Sequence, residues 1–313
     1  MNVAVIGVKG IGKHHAKWWQ LEGANVCAFL GSSPETVTSA QEMLTKHLDA
    51  DVPGFFDLNE MLTAEKPDIV DVCSPPGLHA EHCEAALNAN CHVLCEKPFV
   101  YEEGVSSDKL LRHATSLVQL AQRKERRLGL CLQYVESARS LLRLWGDIRP
   151  NERIERMEGV LASPAKGRAP DPRRVWVDLA PHPLSALHTV FRGRQPDWSS
   201  LRTDFHDYQA NATFVMRDGN EYTVQCTVRT YNTQNPPANV RRFVLNDIQF
   251  DIEGYKDDDG VFQARIHWTD GSLETEDAMR MVLRRFIEGE PSTCGEEGVR
   301  NLEWLLEILE TAS

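Results

Sequence analysis

No apolar run in this 313-residue chain reaches the ~18 residues that a membrane-spanning helix requires. Positive charge is also short: 34 Lys and Arg stand against 46 Asp and Glu, a net charge of −12 at pH 7. Nucleic acid and anionic membrane are bound by basic surface, so both are poor partners for such a chain. A cysteine framework is missing too. Cys27, Cys73, Cys83, Cys91, Cys95, Cys131, Cys226 and Cys294 are scattered, with no Cys-x-x-Cys pair among them. Buried free thiols in a reducing compartment account for that pattern. Cys91, His92 and Cys95 are close in sequence, but strand residues four apart lie about 13 Å apart, too far to share one ion, so no metal site is expected. Internal repeats and low-complexity segments are absent. The opening Met1-Asn2-Val3-Ala4-Val5-Ile6 already reads as a strand, which leaves no room for an export signal, and a cytoplasmic location is expected.

What is present is apolar material for a sizeable core, 42% of residues, in a length that suits two domains. Up to about residue 130 the chain alternates short β-branched runs with helical periodicity, as a parallel sheet with crossover helices requires. Strands are expected at Val3–Ile6, Val26–Leu30, Phe55–Phe56, Asp68–Cys73, His92–Cys95 and Leu128–Leu132. Helices are expected after Gly12, from Pro34 behind a Ser33 cap, over His79–Asn90 and over Ser107–Arg126. Past Trp145 the texture changes. Ala210–Met216 and Glu221–Val228 flank Arg217-Asp218-Gly219-Asn220, a hairpin turn signal, and Arg241–Ile252 and Val261–Trp268 alternate apolar and polar positions. Helices are expected at Leu184–Phe191, Glu276–Glu288 and Glu296–Thr311, and Pro164–Pro172 reads as the stretch least able to order. The fold class is therefore an α/β domain with a parallel sheet over residues 1–126, followed over 127–313 by an α+β domain with an open, mostly antiparallel sheet.

Gly7-Val8-Lys9-Gly10-Ile11-Gly12 lies between the first strand and the first helix, the context in which such a turn grips a dinucleotide. Gly7 permits the tight turn, a small middle residue lets pyrophosphate approach the backbone, and Gly12 lets helix and strand pack closely. The helix N-terminus then offers N–H groups and partial positive charge. Lys9 replaces the middle glycine, with Gly10 and Ile11 following at once. At the end of the second strand an acid normally takes the ribose of NAD. Here stand Gly31-Ser32-Ser33, and the two hydroxyls with the helix start lean toward NADP over NAD, while Ser33 serves equally as a plain helix cap.

These residues converge on a family. Val3 through Gly12-Lys13-His14-His15-Ala16, the loop Ser74-Pro75-Pro76-Gly77-Leu78-His79, the run Glu96-Lys97-Pro98 and the element Asp178-Leu179-Ala180-Pro181-His182 resemble the motifs of the glucose–fructose oxidoreductase/inositol dehydrogenase (Gfo/Idh/MocA) family. The resemblance implies a Rossmann fold followed by an open-faced sheet domain that binds substrate and forms oligomers. It implies NAD(P) held by Gly7, Lys9, Gly10, Ile11, Gly12, Ser32, Ser33, Ser74, Pro75, His79, Glu96 and Lys97. It further implies that Lys97 and His182 flank the reacting oxygen. His79 is expected to support its loop rather than to do chemistry.

Elementary chemistry agrees with the last assignment. Hydride transfer to a carbonyl leaves an oxyanion, which a lysine ammonium stabilises, while an imidazole near its ordinary pKa delivers the proton. Asp178 stands four residues before His182 and is expected at or before the cap of a helix starting near Pro181 and Pro183, where it orients the imidazole or meets substrate. Arg173, Arg174 and Trp176 replace the glycine-rich stretch usual in the family and point to a pocket for an aromatic, planar or anionic substrate, with Gln133 and Tyr134 as further wall residues. The leading expectation is an NAD(P)-dependent oxidoreductase on a small hydroxyl or carbonyl compound, a sugar or cyclitol derivative. Two alternatives stay open: reduction of an imine or enone, and a non-catalytic dinucleotide-sensing regulator. An open antiparallel sheet exposes one face, and large exposed apolar faces are covered by another copy, so at least a dimer, a homodimer or homotetramer through the second-domain sheet, is expected.

Overall fold

The computed structural model describes residues 1–312 apart from 218, 220, 221 and 259. The chain forms two compact units, Met1–Leu132 with Met279–Leu302 and Gln133–Ala278 with Glu303–Ser313.

The first unit begins with β1 (Asn2–Ile6), and after the glycine turn come α1 (Lys13–Leu21), β2 (Asn25–Leu30) and α2 (Pro34–Leu48). Then follow β3 (Gly54–Phe55), α3 (Leu58–Glu65), β4 (Ile69–Val72), α4 (His79–Asn88), β5 (His92–Cys95), α5 (Ser107–Arg123) and β6 (Leu128–Leu130). The six strands are all parallel in the order β3-β2-β1-β4-β5-β6. That order reverses direction between β1 and β4, and ligands of such sheets bind at the carboxyl ends of the strands flanking that point. Val3, Val5, Ile69, Val70, Val93 and Leu94 are buried, as a sheet covered on both faces requires. Ser33 caps α2 by accepting from the Thr36 N–H at 3.3 Å, and Asp57 caps α3 by accepting from Glu60 at 2.8 Å.

The second unit opens with α6 (Tyr134–Ile148), β7 (Arg156–Pro164), α7 (Pro172–Leu179) and α8 (Pro181–Val190). Strands β8 (Gln195–His206), β9 (Gln209–Arg217), β10 (Thr223–Thr233), β11 (Val240–Leu245), β12 (Ile248–Lys256), β13 (Phe262–Trp268) and β14 (Gly271–Glu276) complete it. They form one eight-stranded sheet, β14-β13-β12-β11-β7-β10-β9-β8, antiparallel except where β10 runs parallel to β7. Gly159 in β7 lets α8 come close: a Cβ there would stand 2.8 Å from the Pro183 Cβ.

Several expectations change here. Arg241–Ile252 is a hairpin rather than one strand, because Asn246 takes a positive φ of 50° and turns the chain; its side-chain oxygen accepts from the Glu155 N–H at 2.8 Å. The segment 164–172 is folded, with a turn from Arg168 N to Ala165 O and the Tyr208 hydroxyl on Arg168 O. The turn residues Asp218 and Asn220, and Glu221 after them, lie outside the described residues, while Arg217 and Thr223 pair across the two strands. The face of the sheet away from α8 is charged rather than apolar. Arg229 pairs with Glu158 at 2.9 Å, Arg242 with Asp251 at 2.7 Å and His267 with Glu253 at 3.0 Å. The apolar face invoked for a dimer is thus replaced by cross-strand ion pairs.

Two C-terminal helices follow, α9 (Ala278–Glu288) and α10 (Gly295–Thr311). The chain returns to the first unit here: Phe286 packs edge-on against Trp19 with ring centres 6.3 Å apart. Arg280 and Arg284 hold the Glu22 carboxylate at 2.6 and 2.8 Å. The division between the units falls within α10, between Leu302 and Glu303. Among the described residues no helix is long and apolar enough to cross a membrane.

Candidate active site

The glycine turn follows β1 directly. Gly7 has φ +88°, and a Cβ there would stand 2.6 Å from the Cys73 carbonyl oxygen. A Cβ on Gly12 would meet the Gly7 carbonyl oxygen at 2.6 Å. Both glycines are therefore dictated by backbone against backbone. Gly10 differs: nothing lies within 4 Å of its would-be Cβ, and Lys9, Gly10 and Ile11 are exposed. Lys9 lies outside the positive-φ residues, so a side chain sits there without strain. An open, exposed backbone leading into an α-helix N-terminus fits a dinucleotide pyrophosphate.

Pairing carries the neighbouring strand ends to the same edge. Ile6 is in register with Val72 and Val72 with Cys95. The loop Ser74-Pro75 after β4 therefore sits beside the glycine turn, at the ~4.8 Å spacing of adjacent strands, and the Glu96-Lys97 turn after β5 lies one strand further along the same edge. His79 joins the two loops, with its ring nitrogens 2.8 Å from Ser74 O and 2.9 Å from Pro98 O. It is fully buried, and burial pulls its pKa below the ordinary value. Ser74 is also buried, its hydroxyl 2.9 Å from His82 Nδ1. Pro75 is exposed on the loop. Glu96 accepts from the Lys97 backbone N–H at 3.1 Å, and the Lys97 side chain is half-buried.

At the end of β2, Ser32 Oγ lies 3.4 Å from Thr36 Oγ1 and Ser33 is committed to the helix cap. Gly31 gives α2 its close start, since a Cβ there would be 2.9 Å from Thr36 Oγ1. One acid was not singled out in the sequence: Glu35, in the first turn of α2. Its carboxyl is held below the usual range, chiefly by the Ser33 hydroxyl.

A buried ion cluster lies behind this edge. His15 Nδ1 is 2.9 Å from Asp71 Oδ2, Trp19 Nε1 donates to the same oxygen at 2.6 Å, and Cys73 Sγ lies 3.3 Å from His15 Nδ1. His15 Nε2 stands 3.2 Å from Glu96 Oε1, a close ion pair without the alignment of a hydrogen bond. Burial pushes the His15 pKa down, but Asp71 and then Glu96 outweigh it and raise it to about 10. The ligand-type atoms of His15, Asp71 and Cys73 lie within 4.8 Å of one another, as do those of His15, Glu96 and Cys131. Asp71 Oδ2 already accepts twice, so the grouping is a hydrogen-bonded ion cluster. The sequence signal was available: a lone aspartate in the apolar strand Ile69-Val70-Asp71-Val72 must find a partner when buried.

In the second unit Asp178 lies within α7, not at a cap, and His182 is the second residue of α8. Ala180 between them keeps helical dihedrals of −66° and −27°, so the two helices nearly join and the prolines fit the first turn of the second. His182 is 8% exposed, with its ring 5.0 Å from that of Tyr134 and Ser185 Oγ donating to its carbonyl at 2.6 Å. Tyr134 is buried, and burial raises its pKa to about 12. Gln133 precedes α6 and accepts from the Glu136 N–H at 3.0 Å. The expected pocket of Arg173, Arg174 and Trp176 does not form. Trp176 is fully buried and donates to Leu305 O at 3.0 Å, Arg173 donates to Leu309 O at 3.2 Å, and Arg174 donates to Ala169 O at 3.1 Å. An indole at helical spacing has gone to the core, and the two arginines bind carbonyls.

The first unit is thus a doubly wound dinucleotide-binding domain, and the second an open sheet layered by helices. Residues 1–131 match the model of the Gfo/Idh/MocA family, described as an oxidoreductase family with an NAD-binding Rossmann fold. The match covers the first unit's Rossmann segment and less than half of the chain. It is 40% identical over 103 residues to a D-glucoside 3-dehydrogenase of Escherichia coli K12, a match covering 31% of this chain and 27% of that protein. A 60-residue stretch is 43% identical to the scyllo-inositol 2-dehydrogenase (NADP(+)) IolU of Bacillus subtilis and covers 19% of this chain and 18% of that one. The matched stretches therefore span little more than a quarter of these curated relatives at most. Among solved structures, UDP-N-acetylglucosamine 3-dehydrogenase GnnA from Acidithiobacillus ferrooxidans superposes with a TM-score of 0.71 at 20% identity, covering 100% of this chain and 97% of that one. A scyllo-inositol dehydrogenase from Lactobacillus casei with bound NAD(H) and scyllo-inositol gives 0.70 at 14%, covering 100% and 96%. At such identities the likeness is one of fold.

Proposed function

We propose that this chain is an NAD(P)-dependent oxidoreductase that moves hydride between nicotinamide and a carbinol or carbonyl carbon of a small sugar- or cyclitol-like substrate. The observation that carries the reading is the sharing of one sheet edge by an open glycine turn and Lys97, in a segment that matches an NAD-binding oxidoreductase family. Relatives named as a glucoside and an inositol dehydrogenase support the choice of substrate class.

Gly7, Gly10 and Gly12 with the start of α1 would hold the pyrophosphate, and the Ser74-Pro75 loop would flank the dinucleotide. Bound NAD(P) supplies the hydride acceptor or donor. In the oxidising direction the substrate C–H bond breaks with its electron pair and the hydroxyl loses a proton. Lys97 stabilises the developing alkoxide and His182 takes the proton; in reduction His182 returns it. Asp178, four residues before His182 along nearly continuous helix, would orient it. The ribose region combines the Ser32 hydroxyl and a helix N-terminus, which favour the extra phosphate of NADP, with Glu35 opposing it and Ser33 taken up by its helix cap.

The test is direct. Purified protein is titrated with NADH and NADPH by fluorescence, then assayed for reduction of NAD and NADP with a panel of inositols, glucosides and hexoses, and for oxidation of the reduced forms with ketones and imines. Turnover on a polyol supports the reading. Tight dinucleotide binding with no turnover on any arm would replace it with a sensing role, and turnover confined to imines would move the chemistry to C=N reduction.

A further inference from the structure

The buried ion cluster takes no part in the chemistry above, yet it stands directly behind the residue that does. We infer that His15 is a positioning residue, a cationic brace that fixes the Glu96-Lys97-Pro98 turn against the helix springing from the glycine turn. The inference rests on the reading of Lys97 just given.

His15 is the third residue of α1, three positions after Gly12. Its ring lies between carboxylates from two strands, with Nδ1 2.9 Å from Asp71 Oδ2 and Nε2 3.2 Å from Glu96 Oε1. A neutral imidazole carries one N–H and one lone pair, and would aim that lone pair at a carboxylate. The imidazolium donates to Asp71 and sets its positive charge 3.2 Å from Glu96, and the raised pKa of about 10 agrees with that state. Trp19 fixes the far end by donating to Asp71 at 2.6 Å. Glu96 carries the near end, because its other oxygen accepts from the Lys97 backbone N–H at 3.1 Å.

The contacts therefore run from Trp19 through Asp71, His15 and Glu96 to the main chain of Lys97. The other groups facing the ring are Cys73 after β4, Cys131 after β6 and the Trp18 ring, 5.5 Å away by centroids. Cys73 and Cys131 are both held protonated, since burial and then the neighbouring carboxylates raise their pKa values well above the ordinary thiol range. They add no charge, which leaves a single cation between two anions. Removing that cation would leave Glu96 and Asp71 without their shared counter-charge and free the turn that carries Lys97.

Nitrogen-15 NMR of histidine-labelled protein from pH 6 to 9 reads the charge state. The His15 nitrogens are expected to keep imidazolium shifts throughout, and a titration midpoint near 6.5 would overturn the proposal. The brace itself is read by amide hydrogen exchange. In His15→Phe the Lys97 amide is expected to exchange at least tenfold faster, while amides of β1 and β2 keep their protection. An unchanged Lys97 amide in the folded variant would also overturn it. Should His15→Phe not fold, Glu96→Gln removes the same ion pair from its solvent-facing end and serves for the same measurement. Where polyol turnover is found, His15→Phe is expected to lower kcat at least tenfold with the Kd for NADH, from fluorescence, changed less than threefold. Failure of the Lys97 reading shows separately: full turnover by Lys97→Met removes that role and leaves the NMR and exchange results as they are.

Discussion

His15 and Asp71 lie 2.9 Å apart with neither side chain exposed to solvent. A pair so placed adds less to stability than its geometry suggests, because both charges lose their hydration. Breaking it from one side is another matter. Asp71→Ala leaves the His15 cation facing Glu96 alone and removes the acceptor of the Trp19 N–H. We expect a loss of about 3–5 kcal/mol, read as a shift of the urea midpoint at pH 7. A loss below about 1 kcal/mol would mean that His15 is neutral in the folded protein.

The same pair sets a pH dependence with a definite sign. The folded pKa of His15, about 10, lies above its ordinary 6.5, so the folded state holds the proton more tightly. Its contribution is fully present below about pH 6.5 and is lost as pH rises toward 10, with a slope of up to ~1.4 kcal/mol per pH unit in between. Wild-type stability from pH 7 to 10 is therefore expected to fall more steeply than that of His15→Phe, as measured by denaturation at each pH. Parallel curves would remove His15 as the source.

What the sequence disclosed and what it hid follow a physical division. The glycine turn, the alternation of strand and helix, and the Lys97 run are local: each needs only a backbone constraint or a periodicity that a few neighbouring residues carry. The ion cluster is not local. Asp71 is 56 residues from His15, and its strand read as uniformly apolar because three of its four residues are. Trp176 was misplaced for the opposite reason. Its helix was treated as a pocket wall on residue type, whereas helical spacing alone set it among buried Val175, Val177 and Leu179. Arg241–Ile252 read as one strand because polar and apolar residues keep alternating through the turn at Asn246, where only the backbone changes hand.

Gly7 offers a test of the turn that is independent of chemistry. Its φ of +88° and a would-be Cβ 2.6 Å from the Cys73 carbonyl leave Gly7→Ala with two penalties, a left-handed backbone and a clash with main chain that cannot swing away. A stability loss of roughly 2 kcal/mol is expected, with NADH affinity reduced at least tenfold. Gly10→Ala, with nothing within 4 Å of its Cβ, is expected to keep the stability and lose affinity only. Equal thermal losses in the two variants would contradict the assignment of Gly10 to the ligand side.

Glu35 is the test of cofactor choice. It lies in the first turn of α2, with the Ser33 hydroxyl holding its carboxyl below the usual range, so it is ionised at neutral pH and would oppose a ribose phosphate bound at that turn. Glu35→Gln removes that charge and keeps the shape. NADPH affinity is expected to rise several-fold and NADH affinity to stay constant or fall slightly, both by fluorescence titration. An equal change for the two cofactors would place the ribose away from α2.

Lys97 is the decisive substitution for the reaction. Its turn is held from within the first unit, through the Glu96 carboxylate on its own N–H and His79 on the Pro98 carbonyl. Lys97→Met keeps the length and the turn but removes the charge. If the ammonium stabilises the alkoxide, its loss lowers kcat for polyol oxidation by about 10²–10⁴-fold, while the Kd for NADH moves by less than about threefold, because Gly7–Gly12 is the proposed phosphate site. Lys97→Arg keeps a cation in a wider, planar form that cannot give up its proton. It is expected to recover part of the electrostatic contribution and none of any proton transfer. Activity of the arginine variant close to wild type would make Lys97 a charge and leave the proton to His182. Activity as low as that of the methionine variant would mean that the lysine itself takes part in moving it.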